Sequence, residues 1–143
     1  MEKIVSFKSD KDHYKADACV VWCFDDRFSQ LLEKAKIKLS LKKIDQVEIA
    51  GGAKELTNPG IRADFILDQI DKSIKLHYTP LIVLMVHKDC GAYVKFDVSD
   101  ENEFFSDQLM RAKNVVEKFL KEKSYSADVK IYLADFDGLW KLE

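Results

Sequence analysis

Proline and glycine are scarce in this chain, two and five among 143 residues, which excludes collagen-like repeats and proline-rich designs. Long apolar runs are missing as well. The longest, Leu81 to Val86, falls far short of the roughly 20 residues that a membrane-spanning helix needs. Neither charge sign dominates: 23 Lys+Arg face 25 Asp+Glu, a formal net of -2. That balance argues against a nucleic-acid partner gripped by a global positive field. The three cysteines are an odd number, a poor disulfide framework but a serviceable metal or thiol set. No basic-then-apolar leader opens the chain, so a cytoplasmic protein with no membrane partner is expected. What is present is a folding composition, 47% hydrophobic and 34% charged, sufficient for one core. The expectation is a single domain over residues 1–143.

Short apolar runs alternate with longer amphipathic segments. Ala18 to Cys23 is continuous, β-branched and short, as a strand covered on both faces should be. Phe28 to Ile44 carries Phe28, Leu31, Leu32, Ala35 and Leu39 near one face, which predicts a helix. Gln46 to Ala50 alternates and predicts a short strand ending at Gly51-Gly52. Thr57 or Asn58 can then cap a helix with Pro59 in its first turn and Ile61, Phe65, Ile66, Ile70 and Ile74 on its buried face. Leu81 to Val86 is the strongest buried-strand signal. A third helix is expected from about Asp100 to Lys123, with Asp100 and Glu103 as a capping box. Val129 to Ala134 predicts a last strand, and Asp137-Gly138 a turn into Leu139-Trp140. The order β-α-β-α-β-α-β predicts an α/β fold, a mostly parallel sheet of about four strands flanked by helices. If the first and third strands are central, ligands bind between their carboxyl ends, at the topological switch point.

The residues at those two strand ends carry chemistry. The first strand closes on Cys23-Phe24-Asp25-Asp26-Arg27, and the third on His87-Lys88-Asp89-Cys90-Gly91. Two thiols and an imidazole thus converge on one place. A Cys₂His set is a credible zinc site with a fourth position open for water or substrate, and zinc brings the pKa of its water toward roughly 7. Cys19, inside its strand, reads as core. Asp25 and Arg27, at i and i+2, can form a charge-assisted fork. Asp25 can accept a proton of a metal-bound water, or turn and fill the fourth position itself.

Together these residues resemble the β-class carbonic anhydrases. The Cys-x-Asp-x-Arg motif of that family is matched by Cys23, Asp25 and Arg27, and its His-x-x-Cys-Gly motif by His87, Cys90 and Gly91. Ala50-Gly51-Gly52 is similar to part of the small-residue segment after the family's second strand. The resemblance implies strand order 2-1-3-4 and zinc held by Cys23, His87 and Cys90. It also implies reversible hydration of carbon dioxide to bicarbonate by zinc-bound hydroxide, with Asp25 and Arg27 as the catalytic dyad. A homodimer or higher homo-oligomer is implied too. The chain departs from the pattern at Glu48-Ile49, where Arg-Asn is usual, at Asp26, and at Val86, where glycine often stands. Only about sixteen residues precede the first strand, too few for the family's usual helical arm, so a different dimer is expected. Two other readings share the zinc fold: a zinc-binding structural or regulatory module without hydration activity, and a hydrolase of carbon disulfide or carbonyl sulfide. A third, thiol redox chemistry at Cys19, Cys23 or Cys90, is disfavoured by the absence of Cys-x-x-Cys.

Lys34, Lys36, Lys38, Lys42 and Lys43 crowd the first helix and read as a solvated face. Asp97, Asp100, Glu101, Glu103 and Asp107 form an acidic counterpart, complementary enough to meet it across a subunit interface. His13 and His77 read as surface residues, and Phe104 and Phe105 as core or interface.

Overall fold

Strand-forming and helix-forming segments alternate as expected through most of the chain, and the computed structural model describes residues 1–93 and 100–143. Asp97, placed above in the acidic group, lies outside the described residues. The elements are β1 (Ala18–Cys23), a 3₁₀ turn at Asp26–Phe28, α1 (Ser29–Lys38), β2 (Ile44–Ile49), a second 3₁₀ turn at Gly52–Thr57, and α2 (Ile61–His77), followed by β3 (Leu81–His87), α3 (Glu101–Glu122), β4 (Asp128–Asp135) and β5 (Gly138–Leu142). The sheet order is β2-β1-β3-β4-β5. The first four strands run parallel, and β5 joins β4 antiparallel through the Asp135↔Gly138 turn. The expected order 2-1-3-4 holds, with one edge strand added where a turn into Leu139-Trp140 was expected.

The pleat sorts β1 into two cores. Cys19, Val21 and Cys23 face a layer built with Ile66 and Ile70 of α2 and Phe105, Leu109, Ala112, Val116 and Leu120 of α3. Ala18, Val20 and Trp22 face the other side, with Phe28 and Leu32 at α1. Because both faces are covered, β1 and β3 as far as Val86 are continuously apolar rather than alternating. Each fully buried large side chain contributes about 1.5–3 kcal/mol, so the α3 stripe anchors that helix with little help from propensity. Asp100 caps α3 by accepting from the backbone N–H groups of Asn102 (2.8 Å) and Glu103 (3.3 Å), the half of the expected box that its own side chain supplies. No described helix is long and apolar enough to cross a membrane.

Two helix boundaries differ from expectation. α1 ends at Lys38 instead of continuing to Ile44. Ser40 turns left-handed at φ 59°, and the Asp17 carboxylate accepts from Lys42 N and Lys43 N at 2.7 and 2.8 Å. Those bonds commit residues 42 and 43 to the start of β2, where Ile44 pairs with Ala18. They also hold the Asp17 carboxyl below its usual pKa. α2 starts at Ile61, with Gly60 at φ 148° before it, and neither Thr57 nor Asn58 caps it. Instead the Thr57 hydroxyl donates to Lys54 O at 2.8 Å and closes the second 3₁₀ turn.

His77 is a second departure, because it is built in rather than displayed. Its Nδ1 lies 2.8 Å from Asp45 Oδ2 and its ring stacks on Tyr14 at 4.2 Å. Asp45 also accepts from Tyr14 Oη and Ser73 Oγ, both at 2.6 Å, and Ser73 in turn meets Thr79 Oγ1 at 2.6 Å. This cluster ties the segment before β1 to β2 and to the end of α2. Burial pushes the Asp45 carboxyl up, but the bonds from Ser73, Tyr14 and His77 outweigh it and leave it below the usual 3.8. A carboxyl with a depressed folded-state pKa stabilises above its unfolded value and loses that contribution as pH falls through the folded one. Thermal stability should therefore decline below about pH 4 in the parent and decline less in Asp45→Ala. At neutral pH Asp45→Ala should cost about 2–4 kcal/mol, since buried donors lose their acceptor. A urea midpoint matching the parent's would show that the cluster carries no stability.

Candidate metal centre and adjoining dyad

β1 and β3 are neighbours in the sheet, so their carboxyl ends bring Cys23 and His87 together. The turn after β3 then folds Cys90 back toward Cys23, helped by Asp89 in the left-handed region at φ 53°. The ligand-capable atoms of Cys23, His87 and Cys90 all lie within 4.8 Å of one another, and all three residues are buried. The two sulfurs are 3.9 Å apart, and all three cysteines are free thiols. Cys19 is the core residue expected, wholly buried, with its thiol pushed up to about 12 by burial.

The donor set has the chemistry a metal needs. His87 Nδ1 lies 2.8 Å from Lys88 O, a carbonyl that can only accept, so the ring proton sits on Nδ1 and Nε2 carries the lone pair. That Nε2 is buried without a hydrogen-bond partner among the described residues, a costly state for a polar atom unless something binds it. The Cys23 thiol is pushed well down, foremost by the Cys90 S–H, then by His87 and by backbone N–H groups including that of Gly51 at 3.3 Å. Cys90 moves up, because the proton the sulfurs share stays on it. Burial works against a charged His87, yet the neighbouring Cys23 sulfur and the Lys88 carbonyl raise its pKa overall. One thiolate, one thiol and one bare imidazole nitrogen fit a soft divalent ion such as zinc.

Asp25 and Arg27 adjoin this cluster. Arg27 grips both carboxylate oxygens, with Nε–H at 3.0 Å from Oδ1 and an Nη2–H at 2.7 Å from Oδ2. Those bonds hold the Asp25 carboxyl down to about 2. Asp25 Oδ2 is 3.8 Å from His87 Nε2, so an ionised, acceptor-only group faces the cluster. The expected fork is therefore present beside the three donors.

Residues 13–134 match the family described as "Putative carbonic anhydrase". The chain belongs to that family. Its fold is like that of solved β-carbonic anhydrases, at low sequence identity. A Rickettsia bellii protein described as "Uncharacterized protein" is 28% identical over 152 residues, 96% of this chain and 90% of the relative. Among solved structures, a tetrameric β-carbonic anhydrase of Sordaria macrospora superposes with TM-score 0.56 at 11% identity, over 90% of this chain and 81% of the other. The apo form of a carbon disulfide hydrolase gives TM-score 0.50 at 12% identity, covering 90% and 80%. At such identities the likeness is one of fold.

Several contacts at this site escaped sequence reasoning. Arg27 also reaches Asp89, with Nη1–H donating to Oδ2 at 3.0 Å and Nη2–H to the carbonyl at 3.1 Å. Phe28 covers the His87 ring at 4.5 Å between centroids, with Trp22 edge-on at 6.3 Å. Tyr93 packs edge-to-face on Phe104 and Phe105, which places that aromatic pair in the supporting core. Its buried hydroxyl has no hydrogen-bond partner among the described residues. The Tyr93 pKa is raised by burial and by the nearby Cys90 and Cys23.

Proposed function

We propose that residues 1–143 form one zinc domain that reversibly hydrates carbon dioxide to bicarbonate. Cys23, His87 and Cys90 are its metal ligands, and Asp25 and Arg27 its catalytic dyad. The observation that carries this reading is the orphaned His87 Nε2, set among two thiols and faced by a carboxylate that Arg27 keeps ionised. Zinc, when bound, supplies Lewis acidity that makes a nucleophilic hydroxide available near neutral pH. The protein's own part is orientation. Lys88 O fixes the His87 tautomer, and Phe28 fixes the plane of its ring. Asp25 accepts the O–H of the attacking oxygen species, which turns a lone pair toward the substrate carbon. Because Arg27 occupies both Asp25 oxygens, the carboxylate is restrained from turning onto the ion that Cys23, His87 and Cys90 would hold.

A second reading keeps the zinc and changes the substrate to carbon disulfide or carbonyl sulfide, favoured by the likeness to the carbon disulfide hydrolase and by Glu48-Ile49 in place of Arg-Asn. Stopped-flow measurement of CO₂ hydration beside sulfide release, on zinc-replete protein, separates the two. Hydration well above background is expected. Asp25→Ala should then keep its zinc and lose roughly 10–100-fold in kcat, the range seen when a group orienting a metal site is removed. Background hydration from neutral to alkaline pH, in a sample holding one zinc per chain, would overturn the first reading. Sulfide release would then favour the second, and neither product a non-catalytic zinc module. A homo-oligomeric state and a cytoplasmic location complete the proposal.

A further inference from the structure

The turn between β4 and β5 reaches the dyad from two strands away. Three of its four residues, Asp135, Asp137 and Gly138, are ordinary turn formers. The fourth is Phe136, a large apolar side chain left 65% exposed in a turn that needs none of its hydrophobicity. Its ring centroid lies 5.5 Å from Arg27 Cζ and 5.3 Å from the Phe28 ring. Phe28 is itself 5.8 Å from Arg27 Cζ and 4.5 Å from the His87 ring. Arg27 therefore has an aromatic face from each of two elements, while its donors reach Asp25 and Asp89.

The turn is also fixed to the metal loop. The Lys88 ammonium pairs with the Asp135 carboxylate, and Lys88 N–H donates to Ala134 O at 3.0 Å. Lys88 is the residue whose carbonyl sets the His87 tautomer. A displacement of the turn would thus be felt by Arg27 through Phe136 and by His87 through Lys88. Arg27 is 46% exposed on its side chain, and a long side chain in water does not hold one geometry unless several contacts restrain it. A guanidinium over an aromatic face gains such restraint through the ring quadrupole.

We propose that Phe136 is a positioning residue for the Asp25–Arg27 pair. Its ring holds the Arg27 guanidinium so that Asp25 keeps one orientation toward the metal cluster. This rests on the reading of Asp25 as the group that orients the nucleophile. Phe136 touches neither substrate nor metal in this scheme and acts on Asp25 through Arg27.

The test compares Phe136→Ala, Phe136→Leu and Phe136→Tyr with the parent, all loaded with zinc. Zinc stoichiometry, CO₂ hydration kinetics and the Arg27 Nε–H resonance in ¹⁵N-arginine-labelled protein are measured, the last assigned by its absence in Arg27→Lys. Phe136→Ala and Phe136→Leu are expected to keep their zinc, lose the slowly exchanging Arg27 signal, and drop about 2–5-fold in kcat with little change in KM. That drop is the weight of one exposed cation–π contact. Phe136→Tyr should keep both signal and rate. A protected Arg27 signal in Phe136→Ala, or full retention in Phe136→Leu, overturns the proposal. If the parent hydrates no CO₂, the functional reading fails, and the resonance alone still decides whether Phe136 holds Arg27.

Discussion

Cys23→Ser and His87→Ala should each reduce bound zinc from one equivalent to background, the first with the fold left largely intact. At Cys23 the thiolate is the proposed ligand, and a serine hydroxyl does not ionise near neutral pH, so the strongest donor would be removed. The change is nearly isosteric, and Gly51 N–H, now 3.3 Å from the sulfur, can still donate to the serine oxygen. Loss of metal without loss of structure is the expected signature. His87→Ala is less clean because the ring packs against Phe28 and Trp22. Its removal adds a cavity cost of about 2–4 kcal/mol, so its thermal midpoint must be read beside its zinc content. The loss of affinity should exceed the roughly 10–100-fold expected of a residue that merely supports a ligand. Cys19→Ser provides the contrast: a wholly buried thiol away from the cluster, it should change stability and leave zinc at one equivalent. Retention of stoichiometric zinc in both Cys23→Ser and His87→Ala would remove the basis of the proposed metal site.

That these residues could be singled out from sequence follows from the kind of fold they sit in. Strands covered on both faces leave continuous apolar runs, so Ala18 to Cys23 and Leu81 to Val86 stand out. With right-handed crossovers, strand adjacency leaves few choices, and the carboxyl ends of two central strands meet. Cys23, Asp25, Arg27, His87 and Cys90 are legible because each lies within four residues of such an end. What escaped notice depends on contacts distant in sequence. The end of α1 is set by Asp17, 25 residues before Lys42, and a helical stripe of leucines runs on regardless. Asp45 and His77 are 32 residues apart, a pairing with no local signature. β5 is an edge strand with Trp140 exposed, so its periodicity is weak beside that of the buried strands. Phe136 carries no signal of its own in the sequence, because nothing in Asp-Phe-Asp-Gly marks the arginine it covers.

Gly52→Ala should be the most damaging glycine replacement in the described chain, although Gly52 ligates nothing. The residue sits where the second 3₁₀ turn crosses the ends of β1 and β3. A Cβ there would lie 2.3 Å from Met85 O, 3.2 Å from Cys23 N and 3.3 Å from Trp22 C. All three are backbone atoms of central strands, which cannot swing aside as a side-chain tip can. The backbone is left-handed besides, at φ 58°, which an L side chain adopts only at a cost. Overpacking and strain together should destabilise by about 3–5 kcal/mol, a large part of the stability of an ordinary domain, and lower the thermal midpoint by roughly 10–15 °C. Gly138→Ala is the matched control, since a Cβ there meets nothing within 4 Å, and its midpoint should move little. The damage should also reach the proposed metal site, because relief of the clash shifts the peptide that carries Cys23. Zinc affinity should therefore fall in Gly52→Ala even at temperatures where the protein remains folded. Equal midpoints for Gly52→Ala and Gly138→Ala would mean that the strand ends are not packed against this turn as closely as the structure places them.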